Sequence, residues 1–285
     1  MECEVLFLGF GPITHALATK FIAQGHRIIV VTDKFTYSGA EKEFPVDSLM
    51  TINWKDMLAH EINTEATYFG WRQPPEGQGL GKEIISWIKS ANLKTGKLHH
   101  LSSASVYPGN REEFSEIDYD FRLGRESLNP KQALEGLVCE IALEKELKFI
   151  NYRISNVYGA GLDQGFINES IKSLRNNQPV KVYRNLDLVR DYLFMDDLIS
   201  ALLQLRSCEP LDDVLNISTG QGVSISEVVK QLRDLSSIDI KLRQADAPEG
   251  LKLKSVLSCK KLEEIITWKP KRLNESLLNL MQNSG

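Results

Sequence analysis

Short apolar runs alternating with helical periodicities organise the first part of the chain. Val5-Leu6-Phe7-Leu8 is a continuous apolar run closed by Gly9, the pattern of a parallel strand covered on both faces. Apolar residues then recur at helical spacing through Ile13, Leu17, Phe21 and Ile22 in the stretch Ile13 to Gln24, and Gly25 marks a C-terminal cap. A second apolar run, Ile28-Ile29-Val30-Val31 within Arg27 to Thr32, completes a βαβ unit. Further strands are expected around Leu49 to Ile52, Ala66 to Phe69, Lys97 to Ser102 and Lys148 to Arg153. Helices are expected over Gly81 to Ala91, with Ile84, Ile85, Trp87 and Ile88 as its stripe, and over Pro130 to Glu146. Between them the charged, irregular stretch Gly109 to Asn129 reads as a surface loop.

After Gly159 the elements shorten. A helix from Phe166 to Asn176, a strand at Val180 to Tyr183, and helices near Met195 to Leu205 and Ser226 to Leu235 follow in turn. The whole pattern predicts an α/β chain with a doubly wound parallel sheet in residues 1–160 and a small C-terminal lobe, interleaved with it, in 161–285. With 285 residues a sizeable core is accessible, and a net charge of −4 lacks the basic excess of a nucleic-acid footprint. Cys3, Cys139, Cys208 and Cys259 have neither disulfide-framework nor metal-ligand spacing, so reduced thiols and no metal site are expected. The acidic start and the absence of a run approaching about 20 apolar residues lead us to expect no membrane partner and a cytoplasmic location.

Gly9-Phe10-Gly11-Pro12-Ile13-Thr14 carries two of the three glycines of GxGxxG, between a strand and a helix. In such a turn the first glycine permits the bend and the second lets the backbone approach a pyrophosphate at the helix N-terminus. Gly9, Gly11, Pro12, Ile13 and Thr14 are therefore the candidate dinucleotide loop of a Rossmann-like fold, with Thr14 in place of the third glycine. Asp33, 19 residues beyond Thr14, stands where a carboxylate meets the ribose 2′-hydroxyl of NAD; Lys34 beside it keeps NADP open, and a strand-ending turn residue is the plainer reading.

Four further segments complete a recognisable order: Ser102-Ser103-Ala104-Ser105-Val106-Tyr107, Arg153-Ile154-Ser155-Asn156-Val157-Tyr158-Gly159, Arg190-Asp191-Tyr192-Leu193-Phe194-Met195-Asp196-Asp197 and Asn216-Ile217-Ser218-Thr219-Gly220. They resemble the SSxxVYG, RxxNVYG, RDYhxVxDh and NhGxG segments of the extended short-chain dehydrogenases/reductases, in the nucleotide-sugar epimerase/dehydratase branch. That resemblance implies an NAD-linked epimerase, dehydratase or 4-ketoreductase acting on a nucleotide-activated sugar. It places Ser102 beside the cofactor, Ser103 on a sugar hydroxyl or keto oxygen, and Tyr107, Asn156, Arg190 and Arg243 around the substrate. Arg243 is assigned through Arg243-Gln244-Ala245-Asp246, which resembles RxGD with Ala245 as a departure. Plainer roles are a salt bridge from Arg190 to Asp191 or Asp196, a solvated Arg243, and wall or core positions for Tyr107 and Tyr158. The resemblance also implies a homodimer built on the Gly81 to Ala91 and Pro130 to Glu146 helices.

One landmark is replaced. The family's tyrosine general acid and the lysine four residues later share a helix face, but here Asn129-Pro130 leads to Lys131 and Glu135. A shift of one residue gives Gln132 and Gly136, so neither register restores YxxxK. Lys131 and Glu135 become the candidate catalytic pair with Ser103; the plainer reading is an exposed i,i+4 ion pair. Trp71, in Tyr68-Phe69-Gly70-Trp71, is a bulky residue where the family has small ones beside the cofactor. The alternative to an enzyme is a non-catalytic nucleotide-sugar binding, regulatory or scaffold protein.

Overall fold

A computed structural model of the chain describes residues 2–9, 11–32, 49–53, 62–70, 93–120, 122, 130–184, 187–208, 213–236 and 239–283. The elements used below are β1 (Glu2–Leu8), α1 (Pro12–Ala23), β2 (Ile28–Thr32), β3 (Leu49–Asn53), β4 (Ile62–Phe69), β5 (Leu93–Ser103), α2 (Pro130–Glu144) and β6 (Lys148–Ile154). They continue with β7 (Asn156–Tyr158), α3 (Phe166–Arg175), β8 (Val180–Tyr183), β9 (Val189–Phe194), α4 (Met195–Arg206), β10 (Asp213–Ile217), β11 (Gly222–Ser224) and α5 (Ile225–Ser236). Last come β12 (Leu242–Ala245), β13 (Lys254–Ser255), α6 (Lys260–Ile265) and α7 (Leu273–Asn283). The expected helix Gly81 to Ala91, Trp71 and Asp33 lie outside the described residues. No helix among the described residues is long and apolar enough to cross a membrane.

Seven strands form one sheet in the order β10-β6-β5-β4-β1-β2-β3, and the pairings from β3 through to β5 are parallel. This is the doubly wound order, whose strand direction of growth reverses between β1 and β4. The apolar runs of β1 and β2 explain their central place: Val5, Leu6, Phe7, Leu8 and Val30 are all buried. α1 ends as its sequence requires. Gly25 takes φ +84, its N–H reaches Ile22 O at 2.9 Å, and His26 N–H reaches Phe21 O at 3.0 Å, a Schellman closure.

Two compact units divide the chain: Met1–Val106 with Asp120–Arg153 and Leu202–Leu215, and Tyr107–Tyr119 with Ile154–Ala201 and Asn216–Gly285. In the second, β9 is flanked by β11 and β13 and pairs also with β7, while β8 pairs with β12. Its core gathers Tyr158, Ile167, Tyr192, Phe194, Val228, Leu232 and Leu277. The stretch expected as a surface loop contributes here too. Phe114 is buried, stacks on Tyr107 at 5.1 Å between ring centroids and bridges to Leu257.

Within the first unit an aromatic row crosses four strands, Phe7 to Tyr68 to His99 to Tyr152, with centroid spacings of 5.5, 4.5 and 5.7 Å. His99 Nδ1 and the Tyr152 hydroxyl lie 2.9 Å apart. Burial, reinforced by Lys97 and Arg206, pushes the His99 imidazole down to about 3, so it is neutral in the fold.

Two outcomes are expected. Above about pH 6.5 folded and unfolded chains both hold a neutral His99; below it only the unfolded chain takes the proton. Stability is therefore lost as pH falls from about 6.5 toward 3, about 3 kcal/mol from this residue by pH 4. His99→Phe should flatten the change in urea midpoint between about pH 7 and pH 4.5. Gly9 has φ +86, and a Cβ there would stand 2.3 Å from Gly70 O. Gly9→Ala should therefore cost at least about 2 kcal/mol, read as a lowered denaturant midpoint.

Candidate functional site

β1 and β4 end side by side at the reversal of strand order, the place where open α/β sheets bind ligands. Gly9 N–H continues the ladder to Val31 O at 2.9 Å, and Gly70 N–H bonds Leu8 O at 3.1 Å. Thr14 does not force the helix away from this corner, because the room that a third glycine would leave is supplied by Gly70. A Cβ on Gly70 would lie 2.7 Å from the Thr14 methyl. Gly11 caps α1 in an extended conformation with Pro12 following. Its N–H donates to Thr14 Oγ1 at 2.7 Å, and that hydroxyl donates to Gly11 O at 3.0 Å. The turn fits a dinucleotide pyrophosphate in place and in backbone approach; the first-turn N–H groups of Ile13 and Thr14 are the donors it offers.

On the face covered by α2 the chain departs from its sequence reading. Glu135 is not on the helix surface: it and Arg153 are both fully buried, with Arg153 Nη2 donating to Glu135 Oε2 at 2.8 Å and Nε donating to Oε1 at 3.1 Å. The Ser102 hydroxyl adds a third donor, 2.5 Å from Oε1. The exposed-pair reading of Lys131 and Glu135 is thus replaced, because a guanidinium on a buried strand needs a carboxylate partner. The signal available in sequence was Arg153 itself, a charge in the strand Lys148–Ile154, which is buried from Ile150 onward.

One helical turn earlier, Lys131 is half-buried, and desolvation holds its amine below the usual lysine range. His100, on β5, is buried: burial lowers its pKa and prevails, while Asn151 and Glu135 raise it and Lys131 lowers it. Its Nδ1 is 2.6 Å from Asn151 Oδ1. Gln132, the shifted-register position, donates to Val106 O at 2.7 Å and pins the start of α2 to the segment after β5. Ser103 is partly exposed at the end of β5 and accepts from Ser105 N–H at 3.2 Å. His100 and Asn151 were not singled out from the sequence, where neither belongs to a motif.

The remaining candidates belong to the second unit. Tyr107 is a core residue, 1% exposed, with its hydroxyl donating to Asn216 Oδ1 at 2.6 Å. Asn156 is exposed on β7 and donates to Asp191 O at 3.3 Å. Arg190 does not pair with Asp191; it donates to the carbonyls of Val189, Lys252 and Leu253 at 2.8, 2.6 and 3.2 Å. The Asp191 carboxylate instead accepts from Thr219 N–H, Thr219 Oγ1 and Gly220 N–H at 3.0, 2.7 and 3.0 Å. Burial outweighs these bonds and pushes its carboxyl up to about 6. Arg243 is exposed on β12, paired in register with Lys181 of β8 and not with Asn156 or Arg190. Among the described residues no His, Cys, Asp and Glu cluster could hold a metal.

The buried pair predicts a characteristic cycle. Glu135→Leu should cost about 3–5 kcal/mol by leaving the Arg153 guanidinium uncompensated, whereas Glu135→Leu with Arg153→Leu should recover most of that loss. Equal denaturant midpoints for the single and double variants would contradict the pairing.

Residues 78–218 match the NAD dependent epimerase/dehydratase family. The dTDP-4-dehydro-6-deoxyglucose reductase of Escherichia coli is 30% identical over 135 residues, 46% of this chain and 42% of that enzyme. The CDP-abequose synthase of Salmonella typhimurium is 24% identical over 187 residues, 63% of this chain and 62% of that protein. The match thus spans less than two thirds of the length of either relative. The UDP-glucuronic acid 4-epimerase of Bacillus cereus, solved with UDP-glucuronic acid and NAD, superposes over 100% of both chains with a TM-score of 0.81 at 16% identity, a likeness of fold. With the ordered motifs, the glycine turn at the sheet's reversal and these matches together, residues 78–218 belong to the NAD-dependent epimerase/dehydratase family, and the chain as a whole is similar to the extended short-chain dehydrogenases/reductases.

Proposed function

We propose that this chain binds a nucleotide-activated sugar together with a nicotinamide dinucleotide, and that proton transfer is carried by Lys131 in place of the family's tyrosine. The observation that carries the reading is α2: it keeps a half-buried amine of lowered pKa at Lys131 while the carboxylate one turn later is consumed by Arg153 and Ser102. Desolvation lowers the cost of losing the amine's proton, the direction that suits an amine to proton transfer. The relatives named above act on dTDP-, CDP- and UDP-linked sugars by name, which supports this substrate class.

NAD is the favoured cofactor and NADP the second choice. Gly9 and Gly11 would let the pyrophosphate approach, with Ile13 and Thr14 N–H donating to it; when bound, the nicotinamide ring supplies or accepts a hydride. Ser103 would donate to the sugar's keto or hydroxyl oxygen, and Asn156, Arg190 and Arg243 would bind the nucleotide end. Arg190 is the weakest of these, since three carbonyls already engage its guanidinium. Thiols at Cys139, Cys208 and Cys259 fit a cytoplasmic setting. A homodimer through α2 is supported by Leu143, 71% exposed on that helix.

The second reading is a non-catalytic nucleotide-sugar binder, favoured by the same Glu135 lock. A lysine at 135 would hold the nicotinamide ribose; a carboxylate already bound to Arg153 does not replace it.

The decisive measurement is reduction of a nucleotide-linked 4-keto sugar by NADH, with binding of both ligands followed by calorimetry. Turnover in the wild type that falls at least about 100-fold in Lys131→Ala, with sugar binding retained, is the expected result. Binding without turnover selects the non-catalytic reading, and turnover that survives Lys131→Ala places the acid elsewhere.

A further inference from the structure

The first turn of a helix presents four N–H groups without intrahelical acceptors, and these are what an N-terminus offers to a phosphate. Two of the four are withdrawn in α1. Pro12 has no N–H. The Gly11 N–H is occupied by Thr14 Oγ1 at 2.7 Å. Gly11 O is occupied as well, accepting from the Thr14 hydroxyl at 3.0 Å and from His15 N–H at 2.8 Å. The turn is closed on itself through one side chain.

That side chain has little freedom to let go. Thr14 is 2% exposed, and its methyl packs on Gly70, so rotating the hydroxyl away from Gly11 would drive the methyl out of its contact. A β-branched side chain on a helix is already restricted about this bond. Alanine or glycine at position 14 would leave the Gly11 N–H for a ligand. Threonine holds it.

Resting on the dinucleotide reading of this turn, we infer that Thr14 competes with the pyrophosphate for the Gly11 N–H, making the dinucleotide a weakly held, exchanging co-substrate and not a resident group. Exchange has a chemical consequence. A reaction that returns its hydride to the sugar within one turnover has no need of it. A net reduction consumes one equivalent of reduced dinucleotide each time, so the oxidised form must leave and be recharged by a separate dehydrogenase reaction. The turn suits the second class.

ADP-ribose is the suitable probe, because it carries the pyrophosphate but no nicotinamide and so does not report on α2. Calorimetry on the full chain should show wild type binding weakly, Thr14→Ala binding about tenfold tighter, as one charge-assisted hydrogen bond implies, and Thr14→Ser, which keeps the hydroxyl without the methyl that holds it, falling between them. Protein as purified should release no stoichiometric dinucleotide when denatured. Equal affinity of wild type and Thr14→Ala, or a full equivalent of NAD carried through purification, would overturn the inference while leaving the cofactor reading intact. Failure of wild type and Thr14→Ala to bind either ADP-ribose or NADH, in protein whose thermal unfolding is unchanged, would remove the cofactor reading and the inference together.

Discussion

A carboxylate and a guanidinium that are both shut off from solvent can persist only together, and the pair Glu135–Arg153 imposes that condition on the first unit. The apolar contacts of α2 through Leu134, Val138 and Ile141 would tolerate a small rotation about its axis. The ion pair does not, because its hydrogen bonds are directional and run to one strand residue. With Ser102 as third partner, β5, β6 and α2 are tied at a single point. Lys131 shares the helix face of Glu135 one turn away, so this tie also keeps the amine in a poorly hydrated position.

The same tie separates two properties that the family normally joins on one helix. Acid–base chemistry there depends on a phenol beside an ammonium, each adjusting the other. Here the second position is withdrawn into a structural pair, and the first is a half-buried amine whose pKa is lowered by burial. On the proposed reading, binding and chemistry are thereby carried by different parts of the chain. The glycine turn at the ends of β1 and β4 is independent of α2 in every hydrogen bond described for it.

Where a pattern depends on neighbours in sequence, it was readable. β1, α1 and β2, with Gly25 as cap, follow from apolar periodicity and one positive φ. β4 and β5 are longer than their apolar cores suggest, because polar Asn63, Thr64, Lys94 and Thr95 belong to their first halves and pair across the two strands. Phe114 hides in a charged stretch whose polar residues outnumber it, yet its ring is buried in the second unit. Glu135 is the clearest case of a long-range cause. Nothing within its own helix marks it as buried; its burial is decided by Arg153, which lies 18 residues away on another element. Tyr107 was legible as a family landmark and, on its plainer reading, as a core aromatic; the hydrogen bond of its hydroxyl was not, since its partner Asn216 is 109 residues distant.

Thr14 and Gly70 carry a historical constraint. The methyl at position 14 occupies the volume that any side chain at position 70 would need, with only 2.7 Å to a Cβ there. A helix-turn glycine can therefore be exchanged for threonine only in a chain whose fourth strand already ends in glycine, and a residue with a Cβ can return at 70 only after position 14 has shrunk. The two sites, 56 positions apart in the chain, should change in a fixed order along any line of descent. Relatives that carry a side chain at the end of that strand are expected to keep glycine in the turn.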